Sequence, residues 1–322
     1  MNILVTGVAG FIGSHITEKL LQEGHEVFGI DNLNDYYSPQ LKHARLQRLQ
    51  RYENGQIENF DIVDTKALKA AFQRFRPDLV LHLAAQVGVR YSIENPAVYG
   101  QSNLVGFLNI LECCRAMQVD RLVYASSSSV YGGNPDLPYS EKQSVDHPVS
   151  LYAATKKANE LMAHSYTHLY GLQTIGLRFF TVYGPWGRPD MAVWLFSQAI
   201  LQNKPIQIYN HGDMARDFTY IDDIVAGIHA ALFRGGLDPY EIFNLGNHQR
   251  EKLMHLVGCI EEAMGRKAEK ELMPMQAGDM KETYADIENA RAKLGFEPQT
   301  ELGVGIRRFV SWLLANPQFH GF

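Results

Sequence analysis

Short apolar runs alternate with longer amphipathic stretches through the first half of the chain. The runs at 2–6, 26–30, 57–61, 79–83, 121–126 and 174–180 are too short for helices and predict strands. The stretches between them, at 11–22, 65–74, 96–117 and 151–170, predict helices. Regular alternation of this kind implies an α/β fold, a parallel sheet covered on both faces and built from right-handed crossovers. The segment 32–54 breaks the rhythm: it is polar and basic, predicts a helix on a loop, and suggests no function.

Beyond the run GPWGRP at 184–189 the pattern becomes irregular, with more Met, His and Pro and shorter strand candidates. This predicts a division into a larger domain, 1–180, and a smaller mixed α/β domain, 181–322, closing over it. The strand, turn and helix pattern at 217–232 marks a segment, 217–243, expected to return to the first domain.

Composition narrows the possibilities. The chain has 322 residues, 46% apolar and 20% charged, as in an ordinary globular protein. Thirty basic and 35 acidic residues give a net charge of -5, which offers no general attraction to nucleic acid or an anionic membrane. Cys113, Cys114 and Cys259 form neither a disulfide framework nor a zinc spacing, and the twelve histidines show no metal-ligand pattern. His82, inside a strand pattern, reads as a packed residue. No apolar stretch approaches the ~20 residues of a membrane span, and the first strand begins at once. A cytoplasmic protein without a metal is expected.

The first chemical signal is GVAGFIG at 7–13, between the first strand and a helix. Gly7 and Gly10 allow a tight turn that brings backbone N–H groups against a pyrophosphate at a helix N-terminus, and Gly13 lets helix and strand pack closely. Phe11 and Ile12 complete that turn. Asp31 ends the second strand, where a carboxylate binds ribose hydroxyls, with Asn32 beside it. The acid repels a 2′-phosphate, and no arginine follows it immediately, so NAD is favoured over NADP. Asp61 and Ile62, at the end of a later strand, either frame the adenine or cap the next helix. A Rossmann-type doubly wound sheet follows.

The second signal is Tyr152 and Lys156, four residues apart and on one face if 151–170 is helical. A free phenol titrates near ~10, and a nearby cation favours the phenolate, so the pair makes a proton-transfer device.

With LAA at 83–85, Asn103, SSSSVYG at 126–132 and RDFTYIDD at 216–223, these motifs resemble the extended short-chain dehydrogenase/reductase family of nucleotide-sugar enzymes over nearly the whole chain. The resemblance implies that Leu83, Ala84, Ala85 and Asn103 help to hold NAD and that Ser127 hydrogen-bonds the sugar hydroxyl. It also implies that Lys156 holds the nicotinamide ribose and that Tyr152 abstracts the proton as hydride leaves carbon. Family dehydratases and decarboxylases carry an acid before the valine, where this chain has Ser128 and Ser129. Oxidation followed by re-reduction, an epimerisation, becomes the expected cycle.

Three stretches, 84–91, 178–191 and 216–220, are similar to those of UDP-glucuronate 4-epimerases. Arg90 and Arg188 then either meet an acidic substrate or form structural salt bridges. Thr181 stands where UDP-galactose 4-epimerases usually have Asn, leaving a hydroxyl for a carboxylate. Arg216 is a candidate for the UDP diphosphate and Asp279 for the nucleotide ribose, although the arginine that many relatives carry just before that acid is missing. The family also implies a homodimer through a four-helix interface made by 96–117 and 151–170. The rival expectations are a UDP-glucose/UDP-galactose 4-epimerase or a UDP-glucuronate decarboxylase of the same fold, and remotely a non-catalytic NAD-sensing protein.

Overall fold

The computed structural model describes residues 1–276 and 279–321. Six of its strands come from residues 1–180: β1 (Asn2–Thr6), β2 (Glu26–Asp31), β3 (Gly55–Asn59), β4 (Leu79–His82), β5 (Arg121–Ser127) and β6 (Gln173–Phe179). With the strand Tyr240–Leu245 they form one seven-stranded sheet in the order Tyr240–Leu245, β6, β5, β4, β1, β2, β3. Every pairing in it is parallel.

Side-chain alternation explains why both faces are covered. Ile3 and Val5 of β1 point to one face, where they join Ile16 and Leu20 of α1 (Phe11–Gln22) and Ile224 and Ile228 of the helix Ile221–Phe233. Leu4 points to the other, with Leu68 and Phe72 of α3 (Thr65–Phe75) and Phe107 and Ile110 of the helix Gly106–Met117. Strands buried on both faces lack polar alternation, as β4 shows: all four of its residues are buried.

Three expectations need correction. The strand expected at 57–61 is Gly55–Asn59, so Asp61 lies past its end in a turn, with Oδ1 accepting from Val63 N. The helix cap before Thr65 is Asp64, whose Oδ1 accepts from Lys66 N and Ala67 N; Asp61 is not the cap. The single helix expected over 96–117 is interrupted: Pro96–Tyr99 passes through a π-helical turn, Gly100–Val105, into Gly106–Met117. Such turns insert one residue and re-aim the side chains around it.

Past residue 180 the strands outside this sheet are short. Thr181–Tyr183 pairs with Phe218–Tyr220, Ala215–Arg216 lies between Glu251–Lys252 and Glu282–Thr283, and Ile206–Ile208 pairs with Lys270–Leu272. No helix among the described residues is long and apolar enough to cross a membrane. The polar segment after β2 does contain a helix, α2 (Pro39–Leu49), with Leu41, Leu46 and Leu49 buried.

Candidate active site

The turn between β1 and α1 has no room for a side chain at its glycines. Gly7 has φ +74°, and a Cβ there stands 2.8 Å from Ala84 N; a Cβ on Gly13 stands 2.0 Å from Gly7 O. Gly10 caps α1 without a side chain, so the first amides of the helix stay available to an anion. Asp31 braces the turn: Oδ2 accepts from Ala9 N at 3.0 Å and Oδ1 from Leu33 N at 2.9 Å. Each carboxylate oxygen keeps accepting capacity for a ribose hydroxyl.

A cleft of about 390 Å³ opens over this turn at the ends of the parallel strands. It is lined by Gly7, Gly10, Phe11, Ile12, Gly13, Asp31, Asn32, Asp61, Ile62, Leu83, Ala84 and Ala85, together with Tyr152 and Lys156. The narrow glycine turn, the open helix end and the acid at the tip of β2 fit a dinucleotide. Asn32 and Asp61 are joined there, Nδ2 to Oδ2 at 2.8 Å. Asn103, expected among the cofactor contacts, is not in the lining. It is fully buried in the π turn, accepting from Gln86 N at 2.8 Å and donating to Gln86 O and Thr155 Oγ1, so it fixes the chain after β4 against the Tyr152 helix.

Tyr152 and Lys156 sit at the start of the helix Leu151–Tyr170, whose first turn is capped by the Ser150 side chain accepting from Ala153 N. Lys156 donates to Ala125 O at 2.9 Å, and burial pushes its ammonium down to about 8. The Tyr152 phenol is pushed up by burial; the Ser127 hydroxyl, hydrogen-bonded to it, and the Arg188 charge oppose that. Ser127 and Arg188 are the groups that oppose burial at the phenol. Ser127 Oγ also donates to Ser129 Oγ at 3.1 Å and accepts from Ser129 N at 3.2 Å.

Ser128, Ser129, Thr181 and Arg188 line the same cleft. Ser128, Ser129 and Thr181 also line an adjoining hollow of about 150 Å³, whose other walls include Arg216 and Asp279. Arg216 points one donor at Ala215 O and Lys281 O. Arg90 lines neither space. It pairs with Asp279 at 3.1 Å and lies over the Tyr209 ring at 5.3 Å, which is the salt-bridge alternative for this residue. Arg188 faces the cleft and is also paired, donating from Nε to Asp190 Oδ1 at 3.0 Å and from a second nitrogen to Oδ2.

Several further residues line the cleft. Asn34, Tyr36, Tyr37 and Lys42 all come from the polar segment after β2. Tyr36 Oη donates to Asp190 Oδ2 at 3.1 Å, and Lys42 donates to Asn34 Oδ1 at 2.7 Å. A signal was available: Lys42 and Arg45 lie next to or on the apolar stripe of Leu41 and Leu49, where a solvated cation does not belong.

The pattern described as NAD dependent epimerase/dehydratase family matches residues 3–246. Protein CapI of Staphylococcus aureus is 49% identical over 98% of both chains. UDP-glucuronate 4-epimerase 4 of Arabidopsis thaliana is 48% identical, over 98% of this chain and 76% of its own. Among solved structures, the UDP-glucuronic acid 4-epimerase of Bacillus cereus in complex with UDP-glucuronic acid and NAD superposes with a TM-score of 0.93. It is 34% identical, and the match covers 98% of this chain and 99% of that one.

Proposed function

We propose that this chain, which belongs to the NAD dependent epimerase/dehydratase family, is a nucleotide-sugar 4-epimerase that converts UDP-glucuronate to UDP-galacturonate. One observation carries the choice of an acidic sugar: Thr181 and Arg188 open onto the same cleft as Tyr152 and the serines 127–129, which include no acid. A hydroxyl and a guanidinium beside the proton-transfer tyrosine suit a C6 carboxylate.

NAD, held along the glycine turn and by Asp31, supplies an acceptor that takes hydride from C4 and returns it in the same turnover. The protein's part is proton transfer and restraint. Tyr152 Oη takes the C4 hydroxyl proton while Ser127 hydrogen-bonds the sugar oxygen, and the same phenol gives the proton back when C4 is re-formed with the opposite configuration. Lys156, fixed by Ala125 O, presents its remaining donors to the cofactor ribose. Arg216 and Asp279 in the adjoining hollow hold the UDP portion, so the sugar can turn about its link to the diphosphate.

The 4-keto sugar is a β-keto acid, which loses carbon dioxide when the bond to its carboxylate aligns with the carbonyl π system. Thr181, Arg188 and the serines hold that bond out of alignment. The cofactor-holding half comprises 1–180 with 217–243, and the remainder of the chain contributes the UDP side. Exposed Leu161, Leu169 and Tyr170 on one helix and Val105 and Leu108 on its neighbour form the surface for a second copy of the chain, which the mass in solution tests.

Purified protein given UDP-glucuronate or UDP-glucose, with products followed by proton NMR, tests the substrate. Conversion of UDP-glucuronate at least tenfold faster is expected. Faster turnover of UDP-glucose gives the neutral-sugar epimerase instead, and UDP-pentose with carbon dioxide gives the decarboxylase.

A further inference from the structure

We infer that Arg45 is a positioning residue that locks the glycine turn of the cofactor site to the loop presenting Arg188. The inference rests on the proposed function only where a substrate is used to read it.

Arg45 lies on the buried stripe of α2 between Leu41 and Leu49, and its relative exposure is 0%. A guanidinium has five N–H donors, and all five are used. Nε donates to Trp186 O at 3.1 Å, and Nη2 donates to Trp186 O at 2.7 Å and Gly187 O at 2.9 Å. Nη1 donates to Ala9 O at 3.0 Å and Tyr37 Oη at 2.6 Å. None of these acceptors is a carboxylate. Burying a cation without a counter-ion is costly, and here carbonyl dipoles of two turns take the counter-ion's place.

The two turns are the ones the chemistry needs. Ala9 lies between Gly7 and Gly10, and both of its flanking peptides are held: its N–H donates to Asp31 and its C=O accepts from Arg45. Trp186 and Gly187 immediately precede Arg188. Trp186 has φ +61°, a left-handed conformation that a bulky residue rarely adopts without support. The Gly187 N to Gly184 O bond closes this turn, and Arg45 holds its carbonyls inward. Tyr36, from the same segment, adds a second tie through Asp190 to Arg188. The segment after β2 therefore connects the cofactor side of the cleft to its substrate side, and Arg45 is the connection.

A lysine keeps the charge but carries three donors on one atom and cannot span these separated acceptors. Arg45→Lys and Arg45→Met are compared with Phe72→Leu, a destabilising change in the core on the opposite face of the sheet. NAD released from each denatured protein is quantified, which needs no sugar, and KM and kcat are measured with UDP-glucuronate. Both Arg45 variants are expected to retain less than half the wild-type NAD and to show a KM raised at least tenfold. Phe72→Leu is expected to retain NAD and KM while melting at lower temperature. If the Arg45 variants match Phe72→Leu, with lowered melting temperature but wild-type NAD content and KM, Arg45 is structural only and the inference is overturned. If wild-type protein leaves UDP-glucuronate untouched, the substrate reading fails while the NAD content still decides the role of Arg45.

Discussion

Replacing Arg178 by Met strips a buried carboxylate of its partner directly beneath the catalytic helix. Glu160 lies one turn past Lys156, and its oxygens receive Arg178 Nε and Nη2, each at 2.8 Å, and Ser126 Oγ at 2.7 Å. The side chains are 2% and 4% exposed, so water cannot take Arg178's place. What remains near Glu160 is the Ser126 hydroxyl and Lys157 at 3.9 Å. Removing one member of such a pair costs about 3–5 kcal/mol, whereas removing both charges and filling the volume costs far less. Arg178→Met and Glu160→Met are each expected to lose about 3–5 kcal/mol, and the double variant no more than about 2 kcal/mol, a coupling of several kcal/mol. Equilibrium urea unfolding of the four NAD-containing proteins measures the cycle. Because Ser126 adjoins Ser127 and Glu160 sits on the helix of Tyr152, kcat of each single variant falls as well. Single variants within about 1 kcal/mol of wild type, or strictly additive effects, refute the reasoning.

Three further outcomes follow from the same geometry. Tyr152→Phe lowers kcat by about 10²–10⁴-fold with UDP-sugar affinity retained, since only the proton carrier is lost; stopped assays and calorimetry separate the two. Gly13→Ala places a Cβ 2.0 Å from Gly7 O, so protein purified from this variant carries little or no NAD by absorbance of the heat-released fraction. Lys156→Met abolishes turnover but unfolds at higher temperature than wild type at pH 7. The folded ammonium is pushed down from 10.5 to about 8, so its charge opposes folding below about pH 8 and that cost is relieved between pH 8 and 10.5. The gap corresponds to at most roughly 3 kcal/mol, and the variant's advantage shrinks as unfolding is repeated toward pH 10.

The parts of the molecule that were legible in the sequence are those where local pattern and burial agree. β1 and α1 fall where expected because the strand is apolar on both faces and the glycine turn separates it from the helix. The edge strand Gly55–Asn59 was misplaced by two residues because its own side chains are mostly exposed, while the buried Ile62 lies beyond it and drew the pattern forward. The π turn at Gly100–Val105 leaves no mark, since one inserted residue shifts the helical register without a proline inside GQSNLV. Tyr152, Lys156 and Ser127 carry their signal in spacing and resemblance, whereas Arg188, 36 residues from Tyr152 along the chain, comes to face the same cleft only through the fold. Arg45 is legible only in part. Its place on the apolar stripe of α2 marks it as buried, but the two distant turns that converge on its guanidinium are brought together only by the fold.

The most direct test of a transient oxidation at C4 uses UDP-[4-²H]glucuronate in ordinary water with purified protein and no added NAD. UDP-galacturonate that retains deuterium at C4 is the result the account predicts, because the same hydride returns to the opposite face. Product carrying hydrogen at C4 contradicts it, since the bond would then have been broken as a proton and exchanged with solvent.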